Sequence, residues 1–247
     1  MLEELRARAR ADLGMREDGK PLDPVVVEHS ERVAHLTQAI ASLPELVNNV
    51  VDRDALTAAA WYHDAGWILE LRAGRLREID LLLGRTADRL RDTAADFLLQ
   101  CLKNLLSPGT QQQAARIVRT CNQRSPALLE ARILAEADNL DQIGPQAVCM
   151  IVRKQIAEGH TLADMLRAWR RQEQYRYWPA WIKECFRIPS VRLLAERRYQ
   201  AMCRFMSDLE AACEMGPVTL SRTSVDRPSG VAAGRAIRPG VDPQAAG

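Results

Sequence analysis

The adjacent pair His63 and Asp64 brings together an imidazole and a carboxylate, which are common ligands of divalent metal ions. Neighbouring residues point about 100° apart around a regular helix, so the two can serve one ion only near a helix end. Gly66 follows two residues later, where a glycine commonly ends a helix in the left-handed conformation. The sequence therefore predicts that His63 and Asp64 lie in a last helical turn and face a cleft.

His29 is a second ligand candidate upstream of the pair. Asp23 followed by Pro24 is typical of a helix start, with Asp23 as N-cap and Pro24 at the first helical position. From there Val26, His29 and Val33 recur at helical spacing. We therefore expect His29 on the apolar face of a helix.

Asp138 is a third candidate, on a later helix that Ser125-Pro126 is predicted to open and Gly144-Pro145 to close. Ala131, Ala135 and Asp138 share one face of that helix, so the carboxylate points inward. A buried carboxylate needs a cation, a hydrogen-bond network or a proton. A divalent ion would meet that need for Asp64 and Asp138 together.

A competing interpretation remains open for the histidines. A single histidine on an apolar helix face is more often a hydrogen-bonded core residue than a metal ligand. The chain has only four histidines, and two of them fall at inward positions compatible with the carboxylate pair. Spacing alone leaves a metal site and a polar core about equally favoured.

Three segments together resemble the HD superfamily of metal-dependent phosphohydrolases: HSERV at 29–33, AAWYHDAG at 59–66 and EADNLDQIG at 136–144. The resemblance implies that His29, His63, Asp64 and Asp138 bind the metal, and we expect Asp64 to be catalytic as well. It also implies an all-α fold, a single-domain helical bundle over residues 1–215. Its motif-bearing core would span about 20–145, and closing helices would span about 146–215.

Departures from the family pattern narrow this expectation. Two-metal members carry extra histidines between the His-Asp pair and the last aspartate, whereas this chain has none, and Cys121 and Asn122 stand where one is expected. We therefore expect one metal ion. Relatives that cleave guanosine tetraphosphate or nucleoside monophosphates carry a glutamate where this chain has Trp67 and Ile68, so those activities are disfavoured.

The expected chemistry is hydrolysis of a phosphate ester or anhydride of a small molecule such as a nucleotide by metal-activated water. Two imidazoles and two carboxylates suit manganese, iron, cobalt, nickel or zinc, and magnesium is also considered. Proton transfer could fall to Asp64, Asp141 or Glu70, and Asp141 is equally well explained as a structural partner. The alternative is a catalytically inactive protein of the same fold with a ligand-binding or regulatory role.

Other polar and aromatic residues are given structural roles. Arginine suits phosphate, but each arginine near the motifs is more readily explained by the surface or an ion pair: Arg32, Arg119, Arg124 and Arg198. His35 lies about 120° around its helix from His29, and His160 is predicted to lie in a loop before a capping box. The aromatic segment 169–186 is expected to pack helices rather than to bind substrate.

Composition limits the class of protein further. A net charge of +2 and 5% aromatic residues argue against a nucleic-acid partner. Six scattered cysteines favour a reduced, cytoplasmic setting, and no apolar stretch reaches the roughly 20 residues of a membrane span. Residues 216–247 are rich in proline, glycine and small residues, which predicts a flexible, disordered tail.

Overall fold

The computed structural model describes residues 2–16 and 18–214, and all regular secondary structure in these ranges is helical. The predicted all-α fold is confirmed. The helices are α1 (Leu2–Gly14), α2 (Val25–Ala41), α3 (Arg53–Tyr62), α4 (Ala65–Arg72), α5 (Asp88–Cys101), α6 (Pro108–Thr120), α7 (Leu129–Asp141), α8 (Pro145–Ala157), α9 (Leu162–Gln174), α10 (Tyr177–Cys185) and α11 (Pro189–Glu214).

Helix α3 lies at the centre of the bundle, in contact with α1, α2, α5, α6 and α7. Every residue from Ala55 to Tyr62 is buried, and four of the eight are alanines. A helix that is apolar on all sides must be surrounded, and small side chains let the neighbouring helices approach closely. The end of α3, where His63 and Asp64 follow, is therefore held in the interior of the protein.

Helices α2 and α7 carry the other two candidate ligands and begin later than predicted. Helix α2 starts at Val25, and the Asp23 carboxylate accepts a hydrogen bond from the Val25 N–H at 3.0 Å, so Pro24 occupies the N-cap. Helix α7 starts at Leu129 rather than directly after Ser125-Pro126, which lie in the preceding loop. The faces of the helices, and hence the inward positions of His29 and Asp138, are unaffected by these shifts.

The predicted role of Gly66 is wrong. It does not end a helix in the left-handed conformation, because it lies in the first turn of α4 and is buried. A Cβ atom at this position would lie 2.4 Å from the carbonyl oxygen of Leu90. Glycine is required here because α5 packs directly against the backbone of α4.

The capping box predicted to follow His160 is present. Thr161 and Asp164 form the predicted capping box of α9, and Pro189 opens α11. One compact unit extends as far as Cys213, whereas the predicted tail at 216–247 lies outside the described residues. None of the helices within 2–16 and 18–214 combines the length and apolar character that crossing a bilayer requires.

Candidate metal centre

The junction of α3 and α4 positions His63 and Asp64. Helix α3 ends at Tyr62, so His63 is its C-cap and Asp64 is the N-cap of α4. The chain changes direction between the two residues, which allows both side chains to face one point. The His63 Nδ1 atom lies 2.7 Å from the carbonyl oxygen of Ala60 and donates to it, so the Nε2 lone pair faces the interior.

His29 faces the same point from the buried side of α2. Its Nε2 atom lies 3.2 Å from Nε2 of His63 and 3.3 Å from both Asp64 Oδ2 and Asp138 Oδ1. Its Nδ1 atom lies 2.8 Å from Asp141 Oδ2. A carboxylate that accepts from Nδ1 orients the ring and leaves Nε2 as the ligand atom.

The structure brings the four predicted ligands together. One ligand atom from each of His29, His63, Asp64 and Asp138 lies within 4.8 Å of the others, in a cluster that could hold a metal ion. Atoms that bind one ion at about 2.1 Å lie about 3 to 4 Å apart. The separations from His63 Nε2 to Asp64 Oδ2 and Asp138 Oδ1, 3.6 and 3.9 Å, also fall in that range.

The electrostatics of the cluster favour a cation among these atoms. Burial raises the pKa of the Asp64 and Asp138 carboxyls, but Arg91 and the two imidazoles outweigh it and hold each pKa well below its usual range. Burial lowers the pKa of His29, but its bonds to Asp138, Asp141 and Asp64 outweigh that effect and raise the pKa well above the usual value. Four acceptor atoms that face one another need a proton or a metal ion between them.

Arg91 of α5 is a component of the site that the sequence analysis missed. Its Nη1 atom lies 2.8 Å from Asp64 Oδ1 and its Nη2 atom lies 2.8 Å from Asp138 Oδ2. Its side chain is only 3% exposed. Thr86 adds a hydrogen bond to Asp64 Oδ1 at 2.7 Å. Each carboxylate therefore offers one oxygen to the cluster and has its other oxygen bound by the protein.

Asp141 is a partner of a ligand rather than a free base. In addition to its contact with His29, the Asp141 carboxylate accepts two hydrogen bonds from Arg32, at 2.8 and 2.9 Å. Burial raises the pKa of Asp141, but the bonds from His29 and Arg32 outweigh it and lower the pKa. Of the two roles left open by the sequence, the geometry favours the structural one.

A cavity of about 870 Å³ opens beside the cluster. His29, Asp64 and Asp138 line it at one place, and the aromatic side chains of Tyr177, Trp178 and Trp181 line it elsewhere. The predicted packing role of these aromatics is also visible, since the Trp178 ring meets Trp181 edge to face at 5.7 Å between centroids. The segment therefore both packs helices and borders the cavity.

Several residues considered from the sequence lie elsewhere. Glu70 is bound by Arg75 and Arg89 and does not line the cavity. Of the arginines, Arg32 and Arg124 line the cavity, Arg119 pairs with Asp96, and Arg198 donates to the Leu140 carbonyl. His35 is exposed, and His160 lies in a loop as predicted.

The helical fold and the His/Asp cluster define an all-helical protein with a buried site that could hold a metal ion. Residues 26–143 match the HD domain family, so this part of the chain is an HD domain. No curated protein matches the chain.

Three solved structures are similar to this chain at low identity, and they show the fold alone. A predicted HD superfamily hydrolase from an uncultured Thermotogales bacterium is 20% identical, with a TM-score of 0.53 over 86% of this chain and 92% of its own. Bacillus subtilis YpgQ in complex with ADP is 18% identical, with a TM-score of 0.52 over 87% of this chain and 98% of its own. The Listeria innocua protein Lin1889 is 18% identical, with a TM-score of 0.56 over 87% of this chain and 99% of its own.

Proposed function

We propose that this protein is a metal-dependent phosphohydrolase that cleaves a phosphate ester or anhydride of a small molecule, with nucleotides as the first class to test. The observation that carries the proposal is the convergence of two imidazole nitrogens and two carboxylate oxygens beside a large cavity. His29, His63, Asp64 and Asp138 would hold one divalent ion of manganese, iron, cobalt, nickel, zinc or magnesium.

A divalent ion held there would supply a Lewis acid for the phosphoryl group and would lower the pKa of a nearby water. The protein's own contribution is to hold the ligands in place. The low pKa of Asp64 keeps its carboxylate ionised through neutral pH, which is the form a cation requires. We assign the catalytic role to Asp64 on the resemblance to the HD superfamily, and its place in the ligand set and at the cavity, which His29 and Asp138 share, is consistent with that role.

Cationic side chains around the cavity support a phosphorylated substrate. Arg85, Arg124, Arg132, Lys154 and Arg187 line it in addition to Arg32 and Arg91. Within residues 2–16 and 18–214, no side-chain hydrogen bond holds Arg132 or Arg187, although the Arg132 charge acts on Glu136. A guanidinium fork that is not bound by the protein is available for two oxygens of a phosphate group.

The aromatic lining of the cavity supports a substrate with a planar ring. Trp181 is half-buried and Tyr177 is exposed, so parts of both rings remain accessible beside the cavity. Tryptophan and tyrosine offer large, rigid surfaces to a planar ligand. A nucleotide combines a planar base with phosphate groups, and YpgQ, which has the same fold, has been solved with ADP.

The test is metal analysis of the purified protein, followed by phosphate release from nucleotides and sugar phosphates with manganese, cobalt, nickel or magnesium. We expect about one ion per chain and turnover that Asp64→Ala abolishes. Glu70→Gln is the matched control, because Glu70 is also a buried carboxylate bound by arginine but lies away from the cavity. Equal turnover in Asp64→Ala and the parent would contradict the proposal.

One observation favours a second candidate, a non-catalytic protein that binds a phosphorylated ligand. The carboxylates that line the cavity are all engaged: Asp64, Glu136, Asp138, Asp141 and Glu184 each contact an arginine, a histidine or a backbone N–H. None is a free general base. Bound metal and nucleotide without turnover of any compound in the panel would favour this candidate.

A further inference from the structure

We propose that Arg91 is a built-in second cation of the candidate metal centre, which holds both ligand carboxylates and limits the centre to one metal ion. This inference rests on the proposed metal site. Arg91 acts through Asp64 and Asp138, and so it is a positioning residue rather than a catalytic one.

The four carboxylate oxygens are divided between two sides. Asp64 Oδ2 and Asp138 Oδ1 face His29 Nε2, at 3.3 Å each. The other two oxygens, Asp64 Oδ1 and Asp138 Oδ2, each lie 2.8 Å from a different Nη atom of Arg91. A carboxylate can bridge two cations, one on each oxygen. The guanidinium occupies the side of both carboxylates on which a second ion would have to bind.

The charges of the site explain why one arginine restricts the number of ions. Asp64 and Asp138 carry two negative charges, Arg91 one positive charge, and the Asp141–Arg32 pair cancels. With neutral histidines, one divalent ion leaves a net charge of about +1, which suits a phosphate-bearing substrate. Two ions beside Arg91 would place three excess positive charges in a site where Arg91 is 3% exposed, and that is strongly unfavourable.

The surroundings of Arg91 contain further donor atoms that could complete a second site if the guanidinium were absent. Cys121 and Asn122 line the same cavity as Arg91. The Asn122 amide oxygen lies 3.3 Å from Arg91 Nε. Burial raises the pKa of the Cys121 thiol to about 11, and the nearby Arg91 charge opposes that rise. A second metal ion would find two carboxylate oxygens, an amide oxygen and a thiol within this region.

The experiment is manganese titration of the full chain, with the number of bound ions measured by equilibrium dialysis and the ion environment by electron paramagnetic resonance. We expect the parent to bind one ion with the signal of isolated Mn²⁺. Arg91→Gln, which removes the charge and leaves a shorter polar side chain, should approach two ions per chain and show a spin-coupled pair. Arg91→Lys keeps the charge and should remain at one ion.

Arg89→Gln is the matched control, since Arg89 lies on the same helix two residues away but binds Glu70 and is 69% exposed. It should bind one ion like the parent. If Arg91→Gln fails to fold, Arg91→His replaces the cation by a nitrogen ligand and should also take up two ions. One ion with an uncoupled signal in folded Arg91→Gln or Arg91→His would overturn the inference, as would two ions in Arg91→Lys. A parent that binds no metal would instead contradict the proposed function.

Discussion

Two clusters of carboxylates and arginines involve helices α4 and α5, and they differ in the sign of their excess charge and in its exposure to water. At the first, Arg91 bridges Asp64 and Asp138 beside two histidines, and all of these side chains are largely buried. At the second, Glu70 is bound by Arg75 at 2.6 Å and by Arg89 at 2.8 Å. The arginines of the second cluster are 60% and 69% exposed.

The bond lengths of the two clusters are nearly the same, so geometry does not separate them. The two clusters differ instead in their net charge. Glu70 has two arginines for one carboxylate, and water can solvate the excess positive charge. The first cluster has one arginine for two carboxylates, and the side chains of Asp64 and Asp138 are only 3% and 13% exposed. Buried negative charge in excess requires a cation or a proton, and this requirement distinguishes the first cluster as the candidate site.

The largest expected effect is the loss of metal from Asp138→Asn. Asparagine has nearly the same shape but lacks the charge, so we expect ion affinity to fall by more than about 100-fold, beyond the range for partners outside the ligand set. Glu70→Gln makes the same kind of chemical change in the second cluster and should retain the metal affinity of the parent protein. Chelator competition measures both. Equal metal affinity in the two variants would remove the distinction between the clusters.

The second expected effect concerns stability of the metal-free protein. Arg91→Ala leaves two buried carboxylates without their shared partner, which should lower the free energy of unfolding by about 3–5 kcal/mol. Arg89→Ala removes an exposed partner and should cost about 0–1 kcal/mol. Urea unfolding of both variants in the presence of a chelator measures the difference. Similar losses would show that burial of the first cluster has no energetic consequence.

The third expected effect is on the orientation of His29. Asp141→Asn weakens the bond to His29 Nδ1 and should reduce metal affinity by about 10- to 100-fold without altering the number of ions. Asp80→Asn is the control, because Asp80 also accepts two bonds from one arginine, Arg77, but lies on the surface. Isothermal titration calorimetry with manganese measures the metal affinity of both variants. An unchanged affinity in Asp141→Asn would leave Asp141 with no role at the centre.

The inward positions of His29 and Asp138 could be predicted from the sequence because periodicity reports which face of a helix is buried, whereas their role as ligands came from the resemblance to the HD superfamily. His29 and Asp138 fall on apolar stripes, and that position survives errors of several residues in where α2 and α7 begin. The role of Gly66 could not be located, because a close contact with Leu90 is a property of tertiary packing. Local sequence records only that glycine is present.

Arg91 was missed although the sequence holds a signal for it. Arg91, Ala94, Ala95 and Leu98 recur at helical spacing, so the arginine lies on the apolar stripe of α5. An arginine at such a position needs a buried acidic partner. The partners come from the α3–α4 junction and from α7, 27 and 47 residues away, and spacing does not show which carboxylates meet it.

The smallest expected effect is the pH dependence of the stability that the second cluster, around Glu70, contributes. The hydrogen bonds from Arg75 and Arg89 lower the pKa of Glu70 to about 2, from about 4.5 in the unfolded chain. The folded state therefore binds fewer protons than the unfolded state between these values. The stability that Glu70 contributes is fully present above about pH 4.5 and is lost as the pH falls towards about 2.

Glu70→Gln should consequently be less stable than the parent near neutral pH, and the difference in free energy of unfolding should shrink through this window. High salt should shrink it as well, because both arginines are exposed. Urea unfolding of parent and variant at ~pH 7 and ~pH 3 measures the change. A difference in free energy of unfolding that stays constant with pH would mean that Glu70 stabilises the protein by packing rather than by charge. The two clusters could then not be compared by their excess charge.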